Sequence, residues 1–426
     1  MVYILQIFFC VVLCFWWRRG NGCYKILVMF QLGTFAFAPL VANEIMFETP
    51  LTFFNTIFCL VNLYLIIAPW RKTKFETIEI GKSGLFYFYK KILYLVLAYT
   101  IINNLIVLFL VYYYIGDIAV FKAKLGFKEL YDSVPYFGVL FRYTSVSRYL
   151  GLLALPICVY YLRNQCFKQA IIAFLMSSST LIAALAFCSR AQILSFIFLS
   201  ACLYFYVEHI FDDKISKTVR KSLKYLTFAV VVVFTAITVS RFTSPRMSYY
   251  ADRIPAASYI KSLTLYTVFD YASKGFPNGI MQLEVHEDKD VLGGEPVVYD
   301  LMMALSYFHL TSWTKEGYQQ RLADAYDKMG INEGNNRASF HGYSCRMVKT
   351  MGYICTLLFD LLYYRYVRRK SLGKTINIKS LSILVWLLLS SINSIFYDSY
   401  YTVMYPFFLY LMISLTYNFI HYRYRF

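Results

Sequence analysis

Apolar residues in this chain come in long runs separated by short polar breaks. The runs have the length of a membrane crossing, for which a helix needs about 20 mostly apolar residues. They predict eleven spans: Val2–Trp17, Ile26–Ala42, Leu51–Trp70, Ile92–Tyr114, Tyr149–Leu162, Ala170–Phe187, Ala191–Val207, Tyr225–Val239, Gly352–Tyr366, Ser380–Phe396 and Tyr400–Ile420. The first run has no basic residues before it and no small-residue cleavage site, so it reads as a retained helix and not a signal peptide. Two polar stretches interrupt the pattern, Ile115 to Arg148 and Ser240 to Met351. Within the second, Ile254–Tyr271 and Glu295–Phe308 read as short amphipathic helices lying at the interface. The domain organisation that follows is spans one to eight over 1–239, a large outside loop over 240–351, and spans nine to eleven with a tail over 352–426.

Charge orients these spans. The net charge of +18 would admit nucleic acid as a partner, but its distribution argues against that. The basic residues gather at Arg18-Arg19, Arg71-Lys72 with Lys74, Lys90-Lys91, Lys214 to Lys224 and Arg365 to Lys370, whereas the loop after Arg241 is near balance. That is positive-inside asymmetry. It predicts an outside N-terminus, a cytoplasmic C-terminus and both large loops outside. The composition, 59% hydrophobic and 15% charged, agrees with an all-α polytopic membrane protein, since a soluble domain is nearer a quarter charged. The ten cysteines form no CxxC pair, so neither a zinc site nor a disulfide framework is expected.

The spans carry few ionisable groups; Glu208 and Asp360 are expected near helix ends. Proton- and ion-coupled transporters place carboxylates or histidines inside the membrane. That scarcity, together with the lack of inverted halves with broken helices, counts against a transporter.

Five arginines are expected at the outer boundary, where positive-inside bias gives no reason for them: Arg142 and Arg148 before the fifth span, Arg190 in the tight turn Cys188-Ser189-Arg190, and Arg241 and Arg246 after the eighth. A guanidinium binds phosphate through paired N–H donors. A ring of them at headgroup depth suits a lipid-linked pyrophosphate. The alternative for each is a lipid headgroup or a loop carboxylate. His341, in Ala338-Ser-Phe-His-Gly-Tyr, has the pKa range for a general base toward a hydroxyl, and Asp270 is a second candidate. Each could instead be a solvated loop residue. No Asp-x-Asp metal pattern is expected to function, Asp288-Lys-Asp290 being read as solvated; neither metal nor cofactor is expected.

On these residues the chain resembles the bacterial oligosaccharide repeat-unit polymerases, the Wzy-type O-antigen and capsule polymerases. The likeness rests on the helix count, on Ser189-Arg190-Ala191-Gln192-Ile193-Leu194 entering a mid-chain helix, and on the large loop after the eighth span. It also rests on Asn336-Arg337-Ala338-Ser339-Phe340-His341 followed by Gly352. The His341-to-Gly352 spacing is similar to that of the related O-antigen ligases. One departure leaves the base open: such polymerases often carry an acidic residue shortly before this glycine, and here the approach is Met347-Val-Lys-Thr-Met-Gly352. The resemblance implies a GT-C-like, metal-independent glycosyltransferase in the bacterial cytoplasmic membrane. It implies undecaprenyl-pyrophosphate-linked oligosaccharide as substrate, Arg337 beside the other arginines in binding it, and a flippase and chain-length regulator as partners. A ligase, or a transporter of polysaccharide or lipid-linked sugar, are the alternative readings.

Overall fold

The computed structural model describes residues 2–18, 20–29, 53–115, 134–187, 189–242, 342–393 and 404–423, with scattered positions between 254 and 321. In chain order the helices are α1 (Val2–Trp17), α2 (Phe53–Ile67), α3 (Ser83–Ile115), α4 (Phe137–Ser147), α5 (Ala154–Arg163), α6 (Phe167–Ser177), α7 (Ser179–Ala186), α8 (Arg190–Val207), α9 (Asp213–Phe242), α10 (Gly342–Leu372), α11 (Ile378–Asn393) and α12 (Met404–Arg423). Residues 22–29 are also helical. Short 3-10 turns cover Ala68–Arg71, Leu150–Leu153 and Glu208–Ile210. Strands β1 (Thr77–Glu79) and β2 (Thr375–Asn377) pair in parallel, Ile78 opposite Ile376. Among the described residues, five segments are long and apolar enough to cross a membrane: Phe53–Arg71, Ser83–Tyr113, Phe137–Arg163, Phe167–Ala186 and Gln192–Ile210. The protein is a predominantly helical membrane protein.

The chain divides into two compact units. The first comprises Met1–Thr73, Tyr249–Leu372 and Leu387–Val403. Asn21 caps the 22–29 helix by accepting from the Tyr24 N–H at 2.9 Å. In α2, Asn55 accepts from the Tyr353 hydroxyl of α10 at 2.8 Å, and Phe58 meets the same ring edge-on. Further along both chains, the fully buried Trp70 donates from its indole to the Tyr363 hydroxyl at 3.0 Å and to Ser391 Oγ at 3.1 Å. Contacts that advance together, 55 with 353 and then 70 with 363, make α2 and this part of α10 parallel.

The second unit comprises Lys74–Ser248, Gly373–Trp386 and Met404–Phe426. Its spine is α3. The α4 helix packs antiparallel to it: Phe137 shares a buried cluster with Val107, Val111 and Ala186, while Thr144 lies lower, beside Asn103. After the Leu150–Leu153 turn, α5 continues toward the start of α3, where Tyr161 accepts from Lys90 Nζ at 2.8 Å. The hairpin of α5 and α6 turns at Gln165 in a left-handed conformation. Gly151 lets the descending chain meet the α6–α7 turn. A Cβ there would lie 2.6 Å from the Ser177 carbonyl oxygen and 2.7 Å from Thr180 Oγ1, and would also strike Ser179 Oγ.

Several expectations need correction. The clusters Lys90-Lys91, Lys214 to Lys224 and Arg365 to Lys370 are not in loops; they lie inside α3, α9 and α10. An apolar run stops at its first charges, but backbone hydrogen bonding carries the helix on past the membrane. The interval Ile115 to Arg148 is not wholly loop, since residues 137–147 form α4; its apolar face is interrupted by Arg142 and two serines, which hid it. Asp360 is not near a helix end. Because α10 runs on to Leu372, Asp360 lies well inside it and is fully buried. Most of the amphipathic segments expected at 254–271 and 295–308 lies outside the described residues; 263–266, 269, 302 and 305–306 are helical.

Candidate functional site

The described arginines of the expected site belong to the second unit. Arg190 is the first residue of α8. The approach is as tight as the sequence suggests. The Phe187 N–H donates to the Ala183 carbonyl at 3.0 Å and the Ser189 N–H to that of Ala184 at 2.8 Å, so α7 closes on itself before α8 begins. Ala183, Ala184 and Ala186 are fully buried, and their small side chains allow the close packing. Ser189 is extended, and its carbonyl accepts from the Ile193 N–H at 3.3 Å. The other first-turn N–H groups point along the axis of α8, which makes this end partially positive.

Arg142 approaches the same place from α4. The Phe141 ring meets the Phe187 ring edge-on at 5.0 Å and lies against Phe137 at 5.5 Å. Arg142 follows Phe141 and is exposed; Arg190 lies three residues past Phe187. The α4 helix and the α7–α8 turn therefore carry both arginines to the end of the bundle formed by Val107, Val111 and Phe137. From Lys90 to Val111 along α3 is about 31 Å of helix, close to the thickness of a bilayer core. The two arginines thus lie toward the opposite face from the lysines.

Arg148 departs from the expected ring. It lies about 9 Å deeper than Arg142, because α4 descends along α3 instead of looping above it. It is half-buried, its guanidinium over the Tyr149 ring at 4.9 Å, and Tyr149 in turn meets Trp386 edge-on. The ring anchors one face of the guanidinium.

The side chains of Arg190 and Arg241 are outside the described residues. The backbone of Arg241 lies at the penultimate position of α9, about 31 Å of helix from Arg220. Arg246, Asp270, Arg337 and His341 lie outside the described residues, as do Asp288 and Asp290. Gly352, on which the His341 spacing was read, is described. It breaks α10 with φ 81° and ψ 167°, a backbone state that only glycine adopts easily.

Sequence reasoning passed over the asparagines that hold this end together. Asn103 Nδ2 donates to Thr144 Oγ1 at 2.8 Å and to the Leu140 carbonyl at 3.1 Å. Asn104 Nδ2 donates to the Ser179 carbonyl at 3.0 Å, and the Thr100 and Tyr143 hydroxyls bond at 2.9 Å. Adjacent asparagines inside the apolar run Ile92–Tyr114 were the available signal, because polar side chains inside a span cross-link helices. They fix α4 and α7 on α3, and so fix where Arg142 and Arg190 stand.

At the other end of α8, Glu208 pairs with Arg220, and Tyr204 and Ser216 donate to the same carboxylate at 2.7 and 2.9 Å. This network ties α8 to the start of α9 and has no link to the arginines at the far end. No protein-family model, no curated protein and no solved structure matches the chain.

Proposed function

We propose that this protein is a repeat-unit polymerase of the bacterial cytoplasmic membrane, a GT-C-like glycosyltransferase with eleven spans and an outside N-terminus. In this reading it transfers a growing glycan from undecaprenyl pyrophosphate to a lipid-linked repeat unit on the outer face. The observation that carries the proposal is the convergence of α4 and the α7–α8 turn, which brings Arg142 and Arg190 to one end of a helical unit, about a bilayer away from Lys90. A polyprenyl pyrophosphate presents its charge at that depth while its tail stays in lipid.

The chemistry assigned to the residues is economical. The acceptor hydroxyl oxygen attacks the anomeric carbon of the donor glycan. Its proton passes to His341, or to Asp270, and the bond from the anomeric carbon to the pyrophosphate oxygen breaks. Negative charge grows on the leaving pyrophosphate, where Arg142, Arg190 and the first-turn N–H groups of α8 stabilise it. Arg148, lower and stacked on Tyr149, lies along the path of the tail's polar end. Arg241, Arg246 and Arg337 are assigned to the glycan and phosphate on the outer side.

Deletion of the gene followed by gel analysis of surface glycan tests this reading. A polymerase mutant displays single repeat units. A ligase mutant displays none and accumulates lipid-linked polymer. A transporter of lipid-linked sugar is favoured by one observation, the carboxyl of Asp360 fully buried inside α10. Its deletion would leave lipid-linked units on the cytoplasmic side.

A further inference from the structure

Among the described residues of the first unit, Asn62 and Asp360 are fully buried and have no hydrogen bond on any polar side-chain atom. Both oxygens of the Asp360 carboxyl, and both the oxygen and the nitrogen of the Asn62 carboxamide, have no hydrogen-bond partner. Each residue is 0% exposed. Buried polar groups in proteins are nearly always paired.

Their placement relates them. Asn62 is seven residues past Asn55 on α2, and Asp360 is seven past Tyr353 on α10. Two turns of helix return a side chain to nearly the same face. Asn55 and Tyr353 are hydrogen-bonded across the two helices, and the helices are parallel. One heptad on, Asn62 and Asp360 lie on the stripes that carry this contact, between it and the Trp70–Tyr363 bond. The Trp70–Tyr363–Ser391 network closes the seam beyond them.

We propose that Asp360 binds a proton in the interior of the first unit, with Asn62 as its hydrogen-bond partner. An ionised carboxylate only accepts hydrogen bonds, whereas the acid also donates one. The acid O–H donates to the Asn62 carbonyl oxygen, and the Asn62 amide donates to the other Asp360 oxygen. The pair then carries no net charge. A metal cation fits the seam poorly, since Na⁺-like and Ca²⁺-like ions need several oxygens. Among the described residues on the same two helices, the neighbours in sequence include Cys59, Leu63 and Ile66 on α2, and Thr356, whose hydroxyl already donates to the Gly352 carbonyl at 3.0 Å. The inference is independent of the glycosyl-transfer reading. It concerns the parallel helix pair of the first unit, not the arginines of the second.

Infrared spectroscopy of the purified full chain in lipid near neutral pH tests it. The spectrum should contain the carbonyl band of a protonated carboxyl. Uniform ¹³C-aspartate labelling should shift that band, and Asp360→Asn should remove it. Asn62→Leu should move it to higher frequency, as for an acid that has lost an acceptor. No protonated-carboxyl band in the wild type overturns the proton. A band that survives Asp360→Asn overturns Asp360 as its site. A band unmoved in Asn62→Leu overturns the pairing. If Asp360→Asn fails to fold, the isotope shift in the unmutated protein still decides whether a protonated aspartate is present, and its absence sinks the proposal.

Discussion

Arg190 opens α8 with the sign of charge that a helix start disfavours. The first turn carries a partial positive charge, and a cation there opposes it by about 0.3–1 kcal/mol. An anion bound between the guanidinium and the first-turn N–H groups turns that opposition into cooperation. Arg190→Ala should therefore abolish polymer while the protein stays at normal abundance in the membrane. Arg190→Lys should recover only part of the activity, since a point ammonium lacks the paired fork. Immunoblots of membranes beside glycan gels read both, and full-length polymer from the alanine variant would reduce Arg190 to a headgroup contact. His341 is tested differently. Positioned proton removal contributes about 10²–10⁴-fold, so His341→Ala should leave single lipid-linked units. His341→Gln, which cannot take the proton, should be nearly as inactive. Normal chain length in the glutamine variant would pass the role to Asp270 or to a step that needs no base. The charged candidates were legible because a lone arginine or histidine beside an apolar run stands out. Asp360 was visible too, but its place was misjudged: the apolar run gave out near Tyr366 while the helix did not.

At the scale of elements, the positions of the arginines depend on Gly151 and a pair of asparagines, while Gly352 shapes α10 in the first unit. Gly151 is set by contact: a methyl group there meets the Ser177 carbonyl and the Thr180 hydroxyl well inside van der Waals distance. Gly151→Ala should destabilise by about 1–3 kcal/mol, as overpacking does. Gly352 is set by backbone instead, with open space where a Cβ would go but φ at 81°. Gly352→Ala should cost about 1–3 kcal/mol through strain. Thermal unfolding of purified protein in detergent should show a loss in each, with Gly352→Ala also shifting how α10 enters its span. Unchanged melting in both would mean that these contacts can relax. Helix existence was well marked by the apolar runs: α1 coincides with the expected Val2–Trp17, and α8 begins one residue before the expected Ala191. Helix ends were not, because hydropathy reports where lipid stops and not where backbone hydrogen bonds stop. The α4 helix was missed for a related reason. Its eleven residues mix Arg142 and two serines with aromatics, and only the partners Asn103, Val107 and Val111 on α3 show which face is buried.

At the scale of the whole molecule, orientation decides whether the arginines face the donor. Helix α2 runs parallel to α10, and α4 and α5 run antiparallel to α3. Reporter fusions at Lys72, Lys217 and Arg369 should read cytoplasmic, and fusions at Glu44, Lys274 and Asn336 external. An external signal at Lys217 would place Arg190 on the wrong face and remove the proposed site. The central claim, glycosyl transfer from a lipid-linked donor, is tested most directly by purified protein in lipid given a synthetic polyprenyl-pyrophosphate-linked repeat unit. A ladder of lipid-linked oligomers should form, lengthen with time and persist in EDTA. Substrate that stays single in the presence of folded protein, or a ladder that vanishes on chelation and returns with Mg²⁺ or Mn²⁺, would contradict the account.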